Sequence, residues 1–229
     1  MKVFYKILTW FILPVAILAL IWANVNSVMK PVKFNKEKAV RETVAIQRLK
    51  DIRTLQSAFK AETGHYASTM DSLQTFYKSG EIMVNMMVGS QDDSVAVANT
   101  AALKKKKPKI TPAEMLQLSE AGQRLVFSIK NKIAVRDTLF NNREDFCVDS
   151  LAFIPFSGKD SVIMNTVVKQ VSGVPVPLFE ACMPYKQLLK GLDNQLRINL
   201  DAERNDTGRY PGLMVGSITA PNNNAGNWE

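Results

Sequence analysis

Histidine is almost missing from this 229-residue chain: His65 is the only one. That excludes a histidine-rich metal centre, and a lone histidine between Gly64 and Tyr66 reads as a turn residue. Cysteine is nearly as scarce, with Cys147 and Cys182 alone, too few and too far apart in sequence for a zinc site. No Gly-x-Ser-x-Gly, His-Glu-x-x-His, P-loop or dinucleotide fingerprint occurs. Glu144 and Asp145 are adjacent carboxylates, but neighbours on a strand face opposite sides, which argues against shared acid–base work there. Arg209-Tyr210-Pro211-Gly212 reads as a structural turn with proline at its second position. No catalytic, cofactor-binding or metal-binding residue follows from the sequence, so a non-enzymatic protein without cofactor is expected.

A second long apolar run is also lacking, so at most one segment can span a bilayer. That segment is present. From Ile7 to Met29 there is no charge, and Ile7 to Ala23 is apolar except for Thr9 and Pro14. About 20 apolar residues rising 1.5 Å each cross a hydrocarbon core of roughly 30 Å. Trp10 and Trp22 lie toward the two ends, where aromatic rings favour the membrane interface. Pro14 costs one backbone bond, which membrane helices tolerate. A cleaved signal peptide is the competing reading. The run is long for one, and Ile21-Trp22-Ala23 puts a bulky residue at the outer position of a cleavage site.

The net charge of +8 is not spread evenly. Residues 1–60 hold eleven Lys/Arg against Glu37, Glu42 and Asp51; residues 61–229 hold eighteen of each sign. The basic balance therefore belongs to the anchor and the helix after it, which makes membrane lipids an expected partner. A folded part without basic excess argues against nucleic acid. The run Lys104-Lys105-Lys106-Lys107-Pro108-Lys109 is the exception, and it reads as a solvated loop.

Two signals disagree about sidedness. Lys2 and Lys6 precede the span, while Lys30, Lys33, Lys36, Lys38 and Arg41 follow it, and a literal positive-inside count puts the following domain in the cytoplasm. Against this stand five triplets of Asp, a hydroxyl residue and Leu or Val: Asp71-Ser72-Leu73, Asp93-Ser94-Val95, Asp137-Thr138-Leu139, Asp149-Ser150-Leu151 and Asp160-Ser161-Val162. They resemble the acceptor motif of the general O-glycosylation system of Bacteroidota. The resemblance implies Ser72, Ser94, Thr138, Ser150 and Ser161 as acceptors, a glycoprotein, and a periplasmic domain. The alternative is that these are cap and turn pairs ahead of apolar elements. Cys147 and Cys182 are the right number for one disulfide in an exported domain, though each sits in an apolar stretch that equally suits a buried thiol.

Beyond the span, Pro31 is expected to end or bend the helix, with Asn35 capping a new one. Ala45, Leu49, Ile52, Leu55 and Phe59 recur at helical spacing, and Gly64 is the expected stop. A short helix carrying Leu73, Phe76 and Tyr77 follows, then a strand over Glu81–Val88. Residues 89–110 read as a mobile loop, and Thr111-Pro112-Ala113-Glu114 opens a helix with a capping box. The texture then turns to strands: Leu125–Ile129, Ala134–Leu139, Ser150–Pro155, Val162–Gln170 and Val174–Cys182. Pro175 and Pro177 mark the last as an edge strand. A helix at Tyr185–Leu192, strands at Gln195–Leu200 and Leu213–Ile218, and a tail whose Trp228 docks back complete the reading.

The first 80 residues resemble a type IV pilin or pseudopilin. The likeness rests on the membrane helix Ile7–Met29, its amphipathic continuation Asn35–Thr63, and Gly64-His65-Tyr66 leading to Leu73. The glycine cleavage point and the glutamate of pilins are missing, so the likeness implies a pilin-like domain retained in the membrane. The expected fold is α+β: a transmembrane helix continuing into an amphipathic helix packed on a mainly antiparallel sheet. The expected organisation is a basic tail over 1–6, an anchor over 7–29, a basic amphipathic helix over 30–63, and one α+β domain over 64–229. The expected role is an envelope scaffold or subunit, single-pass in the inner membrane, bound to other envelope proteins or to itself. A ligand- or glycan-binding module, or a cytoplasmic domain for acidic partners, is the alternative.

Overall fold

The computed structural model describes residues 8–229, so the basic tail over 1–6 lies outside the described residues. The architecture is α+β, with one very long N-terminal helix and two small antiparallel sheets. After a wide π turn at Leu8–Ile12, helix α1 runs unbroken over Leu13–Thr63, 51 residues or about 75 Å. Pro14 follows directly on the π turn, where its missing N–H leaves one helical bond unmade. The break expected at Pro31, with a new cap at Asn35, does not occur; both residues lie inside α1. A proline inside a helix removes one bond, and the bonds on either side carry the helix past it. The stop is at the expected place: Gly64 takes φ +79° and donates to the Lys60 carbonyl at 2.8 Å.

The remaining elements are α2 (Met70–Ser79), β1 (Glu81–Val88), α3 (Ser94–Lys106), α4 (Pro112–Glu120), β2 (Phe127–Ala134) and α5 (Val135–Thr138). After a 3-10 turn at Val148–Ala152 come β3 (Ile163–Val171), β4 (Val174–Pro184), α6 (Tyr185–Leu188), α7 (Asn194–Asp206) and β5 (Gly212–Gly216). They divide into two compact units, where the sequence suggested one domain over 64–229. One unit takes α1 up to Ser57, then Tyr66–Met70 and Val148–Glu229; the other takes Ala58–His65 and Asp71–Cys147. Each has its own sheet and its own core, which is the physical reason for the division.

In the first unit, β3, β4 and β5 form the sheet in that order. Ala45, Leu49, Ile52 and Leu55 of α1 are fully buried, as are Phe179, Ala181, Met183, Leu188 and Val215, so four residues of the predicted stripe are core, while the fifth, Phe59, is half-buried. β4 is central only where β5 covers Glu180–Pro184; its Pro175–Pro177 stretch pairs with β3 alone. That open flank is where two missing N–H groups leave no ladder bond unmade. The tail returns as expected: Gly226 bridges Val215, and Trp228 is half-buried.

Two segments of this unit differ from the sequence reading. Gln195–Leu200 is not a strand but part of α7. The Asp193 carboxylate caps it by accepting from the Gln195 and Leu196 amides at 3.0 and 3.1 Å, and Arg197–Asp201 at 2.5 Å adds an i,i+4 pair. Ser150–Pro155 is largely the 3-10 turn, with a single bridge from Phe153 to Ser161.

Gly216 gives a direct test of this packing. It sits at φ +73°, and a Cβ there would lie 2.3 Å from the Phe179 carbonyl oxygen. Gly216→Ala is expected to cost roughly 2–4 kcal/mol from left-handed strain plus a backbone clash. Gly208→Ala, at φ +67° with nothing within 4 Å, carries the strain alone. Thermal melts should rank Gly216→Ala clearly lower; equal midpoints would contradict the clash.

In the second unit, β1 and β2 form a two-stranded sheet in register Glu81↔Ala134 to Val88↔Phe127. Met115, Leu125, Phe127 and Ile129 form its core, with Leu103, Ile110, Leu116 and Leu118 packed on them. The capping box is present: Glu114 N–H donates to Thr111 Oγ1, and Thr111 N–H to the Glu114 carboxylate. Residues 94–106 are helix rather than mobile loop, because Asp93 caps α3 and the first lysines fall in its last turn, where the helix dipole favours cations. The expected strand Leu125–Ile129 is present as β2, which starts two residues later and runs on to Ala134, while Ala134–Leu139 is mostly the turn of helix α5 rather than a strand.

Candidate functional site

The apolar half of α1 stands bare. Val15, Leu18, Leu20 and Trp22 are 64, 66, 63 and 70 % exposed, as is Trp10 of the preceding π turn at 79 %, and no part of the helix's apolar window is buried in this chain. By length and composition it can cross a membrane, and it is the one such helix among the described residues. Trp10 and Trp22 are twelve residues apart, about 18 Å along a straight helix.

Past Met29 the same helix is gripped by the sheet unit through polar side chains spaced along it. Arg41 Nη1 donates to the carbonyls of Leu188 and Lys190 at 3.1 and 2.9 Å, and its guanidinium lies over the Phe156 ring. Tyr185 hydroxyl donates to the Glu42 carboxylate, which also pairs with Lys38 at 3.5 Å. Burial raises the Tyr185 hydroxyl well above its ordinary pKa, and the Glu42 carboxylate adds to the shift by accepting its proton and repelling the phenolate. Arg48 donates to the Phe153 carbonyl. Arg53 reaches the Glu229 carboxylate at 2.8 Å, and Gln56 exchanges two 2.9 Å bonds with the Ala67 backbone. Several of these residues supply the basic excess read from the sequence, and in the fold they fasten the helix rather than face only solvent.

The five triplet hydroxyls are scattered, not gathered. Ser94 opens α3, Thr138 ends α5 and Ser161 pairs with Phe153; all three are exposed. Ser72 in α2 and Ser150 in the 3-10 turn are half-buried. Asp93 does act as a cap, accepting from the Val95 and Ala96 amides, which is the alternative reading of that triplet.

No disulfide joins Cys147 and Cys182: the first is exposed and the second buried. Burial, with Glu180 nearby, pushes the Cys182 thiol up to about 12. The folded state therefore holds that proton while the unfolded thiol loses it near pH 9. The resulting stability is full below pH 9 and declines as pH rises toward 12. Maleimide at neutral pH should label one thiol per folded chain and two after denaturation; two in the folded chain would contradict the burial of Cys182.

The groove that sequence reasoning missed lies where α7 meets the apolar end of α1. Trp22, Ala23, Asn26, Ser27, Lys30 and Pro31 form one wall, and Asp193, Gln195 and Leu196 the other, around about 430 Å³. No sequence signal pairs positions 22–31 with 193–196. Among the described residues, no group of three or more His, Cys, Asp or Glu could hold a metal ion. No family model, curated protein or solved structure matches the chain.

Proposed function

We propose that this is a non-enzymatic, single-pass protein of the bacterial inner membrane, whose folded part serves as a pilin-like scaffold or subunit of an envelope assembly. One observation carries the reading: a single helix is bare and apolar over its first half and gripped by a sheet unit over its second. A helix shared in this way runs from the apolar stretch into the sheet unit without a break at Pro31 and couples the two directly. A periplasmic orientation is favoured by the triplets, and the lysines after the span argue the other way.

Protease treatment of spheroplasts tests the orientation. Digestion of the folded part supports the periplasmic side; its protection overturns it. Mild crosslinking in native membranes, followed by purification, tests the assembly role, and a strictly monomeric chain with no partner would overturn that. If the triplets are glycan acceptors, intact-mass analysis should find glycan at Ser94, Thr138 and Ser161 before Ser72 and Ser150, because only the first three hydroxyls are exposed. Modification of Ser72 or Ser150 alone would count against this order.

A further inference from the structure

We infer that the groove between the anchor and α7 is a binding site for one phospholipid with a phosphate and a primary ammonium in its headgroup, of the phosphatidylethanolamine type. The inference rests on the membrane reading and adds a specific ligand to it.

Depth is the first argument. With the apolar run of α1 centred in the bilayer, the hydrocarbon edge falls near residue 25, about 15 Å along the axis from Val15. The groove straddles that edge. Trp22 and Ala23 line it on the hydrocarbon side, and Asn26, Ser27, Lys30 and Pro31 line it on the headgroup side. Any segment packed beside these residues sits at headgroup level, so Asp193, Gln195 and Leu196 are placed where lipid headgroups lie. A soluble ligand would have to displace lipid to enter.

The chemistry of the walls is the second. Trp22, Ala23 and Leu196 offer apolar surface to a glycerol backbone and the start of an acyl chain. Lys30 has no ion-pair partner among the described residues, and its ammonium is available to a phosphate. Asp193 Oδ1 is committed to the Gln195 and Leu196 amides, while Oδ2 has no hydrogen-bond partner among the described residues. It can accept from an ammonium. Asn26, Ser27 and Gln195 add neutral polar groups between the two charges. A cation and an anion on facing walls fit a zwitterion better than a purely anionic headgroup, which Asp193 would repel. A quaternary ammonium has no N–H to give Oδ2, so a choline headgroup fits less well than ethanolamine.

Native mass spectrometry of the full chain in mild detergent, with equal amounts of phosphatidylethanolamine, phosphatidylglycerol and phosphatidylcholine, tests the site. One bound phosphatidylethanolamine is expected, favoured roughly tenfold over the others, as one charge-assisted contact supplies. Asp193→Asn should remove that preference, and Lys30→Gln, which loses the phosphate contact common to all three lipids, should weaken retention of each. Asparagine caps a helix as well as aspartate, so Asp193→Asn keeps α7 while losing the charge. Equal retention of the three lipids by the parent, an Asp193→Asn variant that keeps the parent's preference, or a Lys30→Gln variant that retains all three as well as the parent would overturn the site. Carbonate extraction of membranes separates the two failures. A parent chain that stays in the pellet without lipid preference overturns the site alone; one released to the supernatant overturns the membrane reading and the site together.

Discussion

Ile52→Asp is expected to unfold the sheet unit. Ile52 is fully buried in α1 between Leu49 and Leu55, which are also fully buried. The substitution removes the apolar transfer energy of an isoleucine, roughly 1.5–3 kcal/mol, and leaves a carboxylate in the core without a partner, at several kcal/mol more. A domain holds only about 5–15 kcal/mol in total, so this one change consumes most or all of it. Leu49→Ala supplies a graded comparison at about 2–5 kcal/mol. Val44→Ala, at a position 40 % exposed on the same helix, should cost far less. Circular dichroism of the full chain in micelles, titrated with denaturant, reads all three. If Ile52→Asp unfolds at the same midpoint as Val44→Ala, α1 is not part of the core, and the shared-helix basis of the proposed function goes with it.

That stripe was the most legible feature of the chain. Ala45, Leu49, Ile52, Leu55 and Phe59 repeat at helical spacing among charges, and the first four are core while Phe59 is half-buried. Signals that rest on a local hydrogen bond were legible too: Gly64 as a stop, the Thr111–Glu114 capping box, and strand Glu81–Val88 to the residue. The misreadings share a cause, which is that two periods competed over short stretches. Leu196, Ile198 and Leu200 alternate as a strand would, yet Leu196 and Leu200 are also i,i+4 neighbours, and the Asp193 cap decides for helix. Residues 94–106 have mostly small side chains and no apolar stripe, so only the Asp93 cap announces α3. At Pro31 the local rule was outvoted by a helix already established on both sides. The candidate site was half legible in the same sense. Composition marks the span, but the groove needs α7 beside residues 22–31, a placement set by how the whole sheet unit holds α1.

Two charges placed near the middle of the span should release the protein from the membrane. The run Ile7–Ala23 holds ten Ile, Leu, Phe and Val residues, each worth about 0.3–0.6 kcal/mol of insertion at the helix centre, or roughly 3–6 kcal/mol together. Arginine at that depth costs about 2.5–3.5 kcal/mol. Leu18→Arg alone therefore brings insertion close to balance, because some of its cost is relieved by snorkelling and local thinning. Val15→Arg with Leu18→Arg adds about 5–7 kcal/mol and exceeds the whole apolar gain. Carbonate extraction should find the parent chain in the membrane pellet, the single variant divided between fractions, and the double variant in the supernatant or degraded. Neither Val15 nor Leu18 is buried against the rest of the chain, so the sheet unit should fold unchanged. A double variant that stays in the pellet would mean that something other than α1 holds the protein to the bilayer. Mass analysis of the parent's mature N-terminus completes the test, since a chain shortened past Ala23 would make this run a cleaved signal rather than an anchor.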